Sequence, residues 1–180
     1  FEVEVAQKRP YWLRLVATDE PGHGSRPLPT SATTRLIAAL QRIQESPFEP
    51  RITSPVRAMF EGIAPYVDEE WRADLRNIDD AIAAPRFLER FQAAMPGRHA
   101  LVRNTCSITM LAGSDKINVV PPTASAELDC RILPDQDAAE FLEEMRRRIA
   151  DPQIRIEEIM LFGPAESSSD TPLFELIAAV

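Results

Sequence analysis

Ala124-Ser125-Ala126-Glu127-Leu128-Asp129-Cys130-Arg131-Ile132 alternates at every step. Ala124, Ala126, Leu128, Cys130 and Ile132 fall on one side, and Ser125, Glu127, Asp129 and Arg131 on the other. Side chains of a strand point to opposite faces with period two, so this segment has one face for a core and one for water. Sheets wet on one face are antiparallel ones. The spacing predicts a strand over 118–133, and the rest of the chain is read outward from it.

Just upstream, Cys106, Ile108 and Met110 alternate with Ser107 and Thr109, a strand over 103–112, and Gly113-Ser114-Asp115-Lys116 is the turn between the two. Downstream, Ala138, Phe141, Leu142, Met145 and Ile149 have helical spacing over 137–150, with acids early and arginines late. Residues 153–162 make a last strand. Near the start, Leu13, Leu15 and Ala17 alternate with Trp12, Arg14 and Val16, a strand over 9–18. Asp19 to Pro27 holds two glycines and two prolines and is read as a shaped loop, not a regular element. A helix follows from Ser31 to Gln44, with Leu36, Ile37, Leu40 and Ile43 as its apolar stripe and Thr30 or Ser31 as its N-cap.

Residues 46–98 differ. Pro47, Pro50, Pro55, Pro65, Pro85 and Pro96 divide them, and Val56, Met59, Phe60 and Ile63, then Phe87, Leu88 and Phe91, have helical spacing. Two or three short helices are expected there. With this insert set aside the order is β-α-β-β-α-β. That predicts an α+β, ferredoxin-like sandwich: a four-stranded antiparallel sheet with two helices on one face, plus an inserted helical segment. Residues 1–165 make this domain. Residues 166–180 are read as a linker and the start of a helix whose Phe174, Leu176, Ile177 and Val180 have no core of their own. With a first residue of Phe1 and not Met, this pattern is expected of a domain cut from a longer protein, and no compartment is read from it.

The formal charge of −8 argues against a nucleic-acid partner, which needs a clustered positive surface. The run Arg146-Arg147-Arg148 sits where cations meet a helix C-terminus. No apolar run approaches the roughly 20 residues of a membrane span, so no membrane partner is expected. Cys106 and Cys130 have no zinc spacing, and both are read as buried free thiols. Asp68-Glu69-Glu70 opens a helical stretch, where acids suit the dipole. No ligand set of zinc or magnesium type is found, so no cofactor is expected on this chain.

Three residues carry chemistry. His23 lies in Pro21-Gly22-His23-Gly24-Ser25, a loop that can present an imidazole outward, although a loop histidine is ordinarily a surface one. Asn118 marks the start of the strand that carries Arg131 on its polar face; alone, each reads as a turn former and a solvated cation. Together they offer a donor, an amide and a bidentate cation, the parts that hold an oxyanion and a carboxylate.

At these residues the sequence resembles a known domain. Asp19-Glu20-Pro21-Gly22-His23-Gly24-Ser25 with Pro27, Gly113-Ser114-Asp115-Lys116-Ile117-Asn118-Val119-Val120-Pro121, and Ala124 through Pro134 are similar, in order and spacing, to the lid (dimerisation) domain of the M-twenty metallopeptidase family. The family includes glutamate carboxypeptidase, aminoacylase, acetylornithine deacetylase and succinyl-diaminopimelate desuccinylase. The resemblance covers about residues 9–165 apart from the insert. It implies a parent with two zinc ions in a separate catalytic domain, hydrolysing an amide of an N-acyl amino acid or peptide, and a homodimer formed through the lids. It implies that His23 steadies an oxyanion in the partner subunit's site, that Asn118 and Arg131 hold substrate, and that this chain alone is inactive. The alternative is a stand-alone ferredoxin-like ligand-binding or interaction module, in which the three residues are incidental.

Overall fold

The computed structural model describes residues 3–84 and 86–179. Phe1, Pro85 and Val180, named above, lie outside them. In chain order the strands and helices are β1 (Ala6–Gln7), β2 (Arg9–Thr18), β3 (Gly22–His23), α1 (Ala32–Glu45), α2 (Ser54–Ile63), α3 (Glu69–Arg76), α4 (Ile78–Ala83), α5 (Phe87–Ala94), α6 (Pro96–His99), β4 (Thr105–Ala112), β5 (Val119–Val120), β6 (Thr123–Ile132), α7 (Ala138–Ile149), β7 (Ile154–Leu161), β8 (Ala165–Glu166) and α8 (Pro172–Ala178).

The main sheet has the order β4-β6-β2-β7, and all its pairings are antiparallel. β2 and β6 occupy the middle because both supply an unbroken inner row. Tyr11, Leu13, Leu15 and Ala17 have no exposed surface, and Ala124, Ala126, Leu128, Cys130 and Ile132 are equally enclosed. Leu13 stands opposite Leu128 and Leu15 opposite Ala126. Leu36, Leu40 and Ile43 of α1 and Phe141, Met145 and Ile149 of α7 close over that row. The fold is therefore the four-stranded antiparallel sheet with two helices on one face that the alternation predicts. Ser31 caps α1 with a capping box, its hydroxyl accepting from Thr34 N at 3.1 Å while its own N–H donates to Thr34 Oγ1 at 2.9 Å, worth about 1 kcal/mol.

Several local expectations change. Residues 118–133 do not form one strand. Pro121 and Pro122 lack the N–H a ladder needs, so the segment divides, and β5 leaves the main sheet to pair with β3. The loop at 19–27 thus contains a two-residue strand. Cys106 and Cys130 are not free thiols. They stand opposite one another on adjacent strands with Cα atoms 4.0 Å apart and are joined by a disulfide; facing cross-strand positions are what bring two thiols within bonding reach. A bulge between Ile108 and Met110 turns Met110 from the face of Cys106 and Ile108 to the face of Glu127. Ile37 is 58% exposed, although Leu36, Leu40 and Ile43 on the same helix are buried. The stretch at 163–170, read as linker, contains β8, which pairs with β1.

The insert contains five α-helices among its described residues, α2 to α6, more than the two or three expected. They bury a second apolar cluster separate from the sheet core, centred on Phe60, Trp71, Leu75, Phe87 and Phe91. Four ring pairs lock it, among them Phe60 on Phe91 edge-on at 5.8 Å and Phe87 on Phe91 stacked at 5.2 Å. Asp68, Glu69 and Glu70 open α3, with Asp68 at the N-cap position but without a side-chain cap bond.

Lys8, between β1 and β2, ties the insert to the sheet. Its ammonium donates to Ala100 O at 2.8 Å, Arg103 O at 2.7 Å and Thr105 Oγ1 at 2.9 Å. These acceptors are neutral, and burial, with the nearby Arg131 guanidinium, pushes Lys8 down to about 7. The unfolded chain holds that proton until about pH 10.5, so between these values it binds more protons than the folded one, and stability rises with pH. Tyr11 acts oppositely but later. Burial and its 2.5 Å bond to Glu158 raise it above its usual 10.0, so its effect begins above pH 10.

Two outcomes follow. Urea midpoints measured from pH 7 to 9.5 should climb for the natural chain and stay flat for Lys8→Met; parallel curves would contradict the assignment. Phe91→Ala should cost about 3–5 kcal/mol, as for a fully buried aromatic, and should shift the fluorescence of Trp71 in the insert core while the circular dichroism of the sheet persists.

Candidate functional site

His23 lies on β3, opposite Val119 of β5, and is exposed. Gly24 N donates to Asn118 O at 2.8 Å, and a Cβ on Gly24 would meet the Asn118 backbone at 3.5 Å. The glycine thus allows the two backbones to pass closely. This strap fixes His23 beside Asn118 in space, although 95 positions separate them in sequence (118 − 23). The side chains of both face outward.

The imidazole is oriented as well as placed. Ser25 N–H can only donate, and it donates to His23 Nδ1 at 3.2 Å; Ser25 Oγ is 2.9 Å from the same nitrogen. Nδ1 therefore carries the lone pair. In the neutral ring the proton sits on Nε2, which makes no hydrogen bond to a described residue and is free to donate to a ligand.

Arg131 is elsewhere. It lies at the far end of β6, eight residues beyond Thr123, and at about 3.4 Å per residue that is about 27 Å. The structure joins His23 to Asn118 and separates both from Arg131. Arg131 belongs instead to a polar row on the outer sheet face. Its Nε donates to Asp129 Oδ1 at 2.6 Å and its Nη2 to Asp129 Oδ2 at 2.9 Å. Trp12 Nε1 donates to Asp129 Oδ1 at 3.1 Å from the next strand. The Arg131 hydrogen bonds, then burial acting in the opposite sense, leave the Asp129 carboxyl below its usual range. Neighbouring rows are also paired: Arg14 meets Glu127 at 2.6 Å.

Sequence reasoning missed Asp129, Trp12 and Lys8. Asp129 was legible only as one more polar residue of an alternating strand, and Trp12 faces it through register, which a single sequence does not show. The second histidine, His99, is 6% exposed and packs edge-on against Phe91 at 6.2 Å. Burial, then Arg103 and Lys8, hold it below the usual histidine range. It is an interior group of the insert. Among the described residues no three His, Cys, Asp or Glu side chains could hold a metal ion, and no helix is long and apolar enough to cross a membrane. A shallow depression beside α7, lined by Arg146, Ile149, Asp151 and Arg155 among others, contains none of the three candidates.

Comparison with known proteins places this geometry. A family model described as Peptidase dimerisation domain matches residues 5–157. The chain is 29% identical over 163 residues to the N-fatty-acyl-amino acid synthase/hydrolase of Mus musculus, covering 90% of this chain and 32% of that protein. It is 27% identical over 146 residues to aminoacylase-1 of Sus scrofa, covering 81% and 26%. Among solved structures it is similar to human carnosine dipeptidase 1, with a TM-score of 0.55, 12% identity, and 97% and 42% of the two chains covered. It is similar too to the metallo-carboxypeptidase Sso-CP2 of Sulfolobus solfataricus, with a TM-score of 0.55, 16% identity, and 95% and 41% covered. At such identities the structures show a shared fold. The chain spans about a third of the length of these curated relatives. With a family model covering most of its length, and with the sheet, helices and loop order described above, the chain belongs to the peptidase dimerisation domain family.

Proposed function

We propose that this chain is the dimerisation and substrate-closing domain of a di-zinc amidohydrolase that cleaves an amide bond of an N-acyl amino acid or peptide. The observation that carries the reading is the strapped, exposed His23, whose Nδ1 is occupied by Ser25 and whose Nε2–H is left to donate. A preset donor of this kind is what a developing oxyanion requires. The names of the mouse and pig relatives, an N-fatty-acyl-amino acid synthase/hydrolase and an aminoacylase, support the substrate class.

The geometry supports a division of labour between subunits. His23 and Asn118 are strapped together beyond the Thr123 end of β6, and Arg131 lies about 27 Å along that strand from Thr123. One substrate cannot reach both ends of a single lid unless it is very long. On this reading His23 and Asn118 serve the partner subunit's site, while Arg131 takes a substrate carboxylate in its own. Two zinc ions, when bound in a separate catalytic domain, would polarise the scissile carbonyl and activate a water. The described residues of this chain make no metal site, so no step here passes through a metal. Residues 1–165 act as the lid with its helical insert, and 166–180 lead into the catalytic domain.

The homodimer is proposed through the edge strand β4. Its outer rim offers unpaired backbone groups, and Ile108, Met110 and Leu111 are 37%, 59% and 68% exposed. Ile37 belongs to the same border: one helical turn before it, Thr33 Oγ1 would stand 4.0 Å from a Cβ on Gly113, just past β4. An apolar edge beside an apolar helix residue suits a two-fold contact in which two sheets become one. A stand-alone ligand-binding module would not need that edge, nor an outward histidine held in one tautomer.

In the full-length protein His23→Ala should lower kcat by about 10²–10³, the scale of one lost oxyanion donor, with folding and zinc content unchanged. Mixed with subunits that lack the catalytic glutamate of the separate domain, it should regain part of the activity. If heterodimers form and nothing is recovered, the cross-subunit role is wrong. Leu111→Lys should convert a dimer to a monomer in light scattering at unchanged circular dichroism, and a persisting dimer mass would move the interface away from β4.

A further inference from the structure

We infer that Asp129 is the positioning residue for Arg131, and that the Trp12 indole holds Asp129 in place. The inference rests on the reading that Arg131 binds a substrate carboxylate, and it adds how that guanidinium is aimed.

A guanidinium has two edges that can meet a carboxylate with two parallel hydrogen bonds, Nε with Nη2 and Nη1 with Nη2. Asp129 fills the first, at 2.6 and 2.9 Å. The second makes no hydrogen bond to a described residue. A long side chain on an open sheet face would otherwise sample many rotamers, and ordering it on binding would reduce affinity. The Asp129 fork removes that freedom in advance. Asp129 is itself constrained, because Trp12 Nε1 donates to its Oδ1 across the β2–β6 register, in which Trp12 stands directly opposite it. The chain of contacts runs from Trp12 to Asp129 to Arg131, and each step fixes the next.

An opposing effect exists. Asp129 also places a negative charge beside the cation, which weakens attraction for a second carboxylate. The two effects predict opposite signs. If orientation dominates, removing the Asp129 charge harms carboxylate binding. If charge compensation dominates, removing it helps. The short, paired contacts and the lone free edge favour orientation.

The test is steady-state kinetics of the full-length protein on an N-acyl amino acid and on the same compound with its carboxylate converted to a carboxamide. Asp129→Asn should raise KM for the free acid by about tenfold, the scale of one charge-assisted hydrogen bond, with kcat held within about twofold. The carboxamide should show no such rise, which a general loss of structure could not imitate. Asp129→Glu should recover part of the affinity. Trp12→Phe, which keeps the ring and loses the N–H, should raise KM in the same direction by a smaller factor, and it serves if Asp129→Asn does not fold. In an Arg131→Ala background, Asp129→Asn should add nothing. An unchanged or lowered KM for Asp129→Asn, where Arg131→Ala raises it, overturns the positioning role and leaves Arg131 as the carboxylate site. If Arg131→Ala itself leaves KM unchanged, the carboxylate assignment fails and this inference fails with it.

Discussion

The antiparallel ladder between β2 and β6 is the constraint on which the rest of the molecule depends. Its register runs from Arg9 opposite Ile132 to Thr18 opposite Thr123 without a shift. Because side chains alternate with period two, a slip of one residue would send either Leu13 and Leu15 or Leu128 and Cys130 into water, and that strand's charged row into the core. Burying one such leucine is worth about 1.5–3 kcal/mol, so the register is held by many side chains together. Both helices, the disulfide and the outer polar rows take their positions from that pairing.

The two ends of this ladder have different chemistry. Past Thr18 and Thr123 the strands give way to the β3–β5 ribbon, where His23 and Asn118 face outward. At the other end lie Arg131, its partner Asp129, Lys8 and the β1–β8 ribbon. A rigid sheet between them keeps the two groups apart.

The helical insert is a folding unit of its own in packing terms. Its aromatic cluster shares no buried residue with the sheet core. Phe48, near its start, lies in the sheet core stacked on Phe141 at 5.3 Å, and polar contacts add to that attachment: Lys8 on Ala100 O and Arg103 O, and the Arg51–Asp135 ion pair.

The sequence by itself determined the order of the four main strands and the two helices packed on them, the inner and outer faces of β2 and β6, the buried stripe of α7, and the existence of a separate helical region. Each of these follows from local periodicity, which a core enforces residue by residue. It also singled out His23, Asn118 and Arg131 by residue type and motif. It could not show the disulfide, the face change at Met110 or the exposure of Ile37, because those depend on which residue of another strand or helix stands opposite. The same is true of the site. Residue types marked the three candidates, but only tertiary structure strapped His23 to Asn118, placed Arg131 at the other end of the sheet and brought Trp12 and Asp129 to bear on it. Hydrophobic alternation is written along the chain, whereas register, prolines that divert a strand, and the distance between two ends of a sheet exist only once the strands have paired.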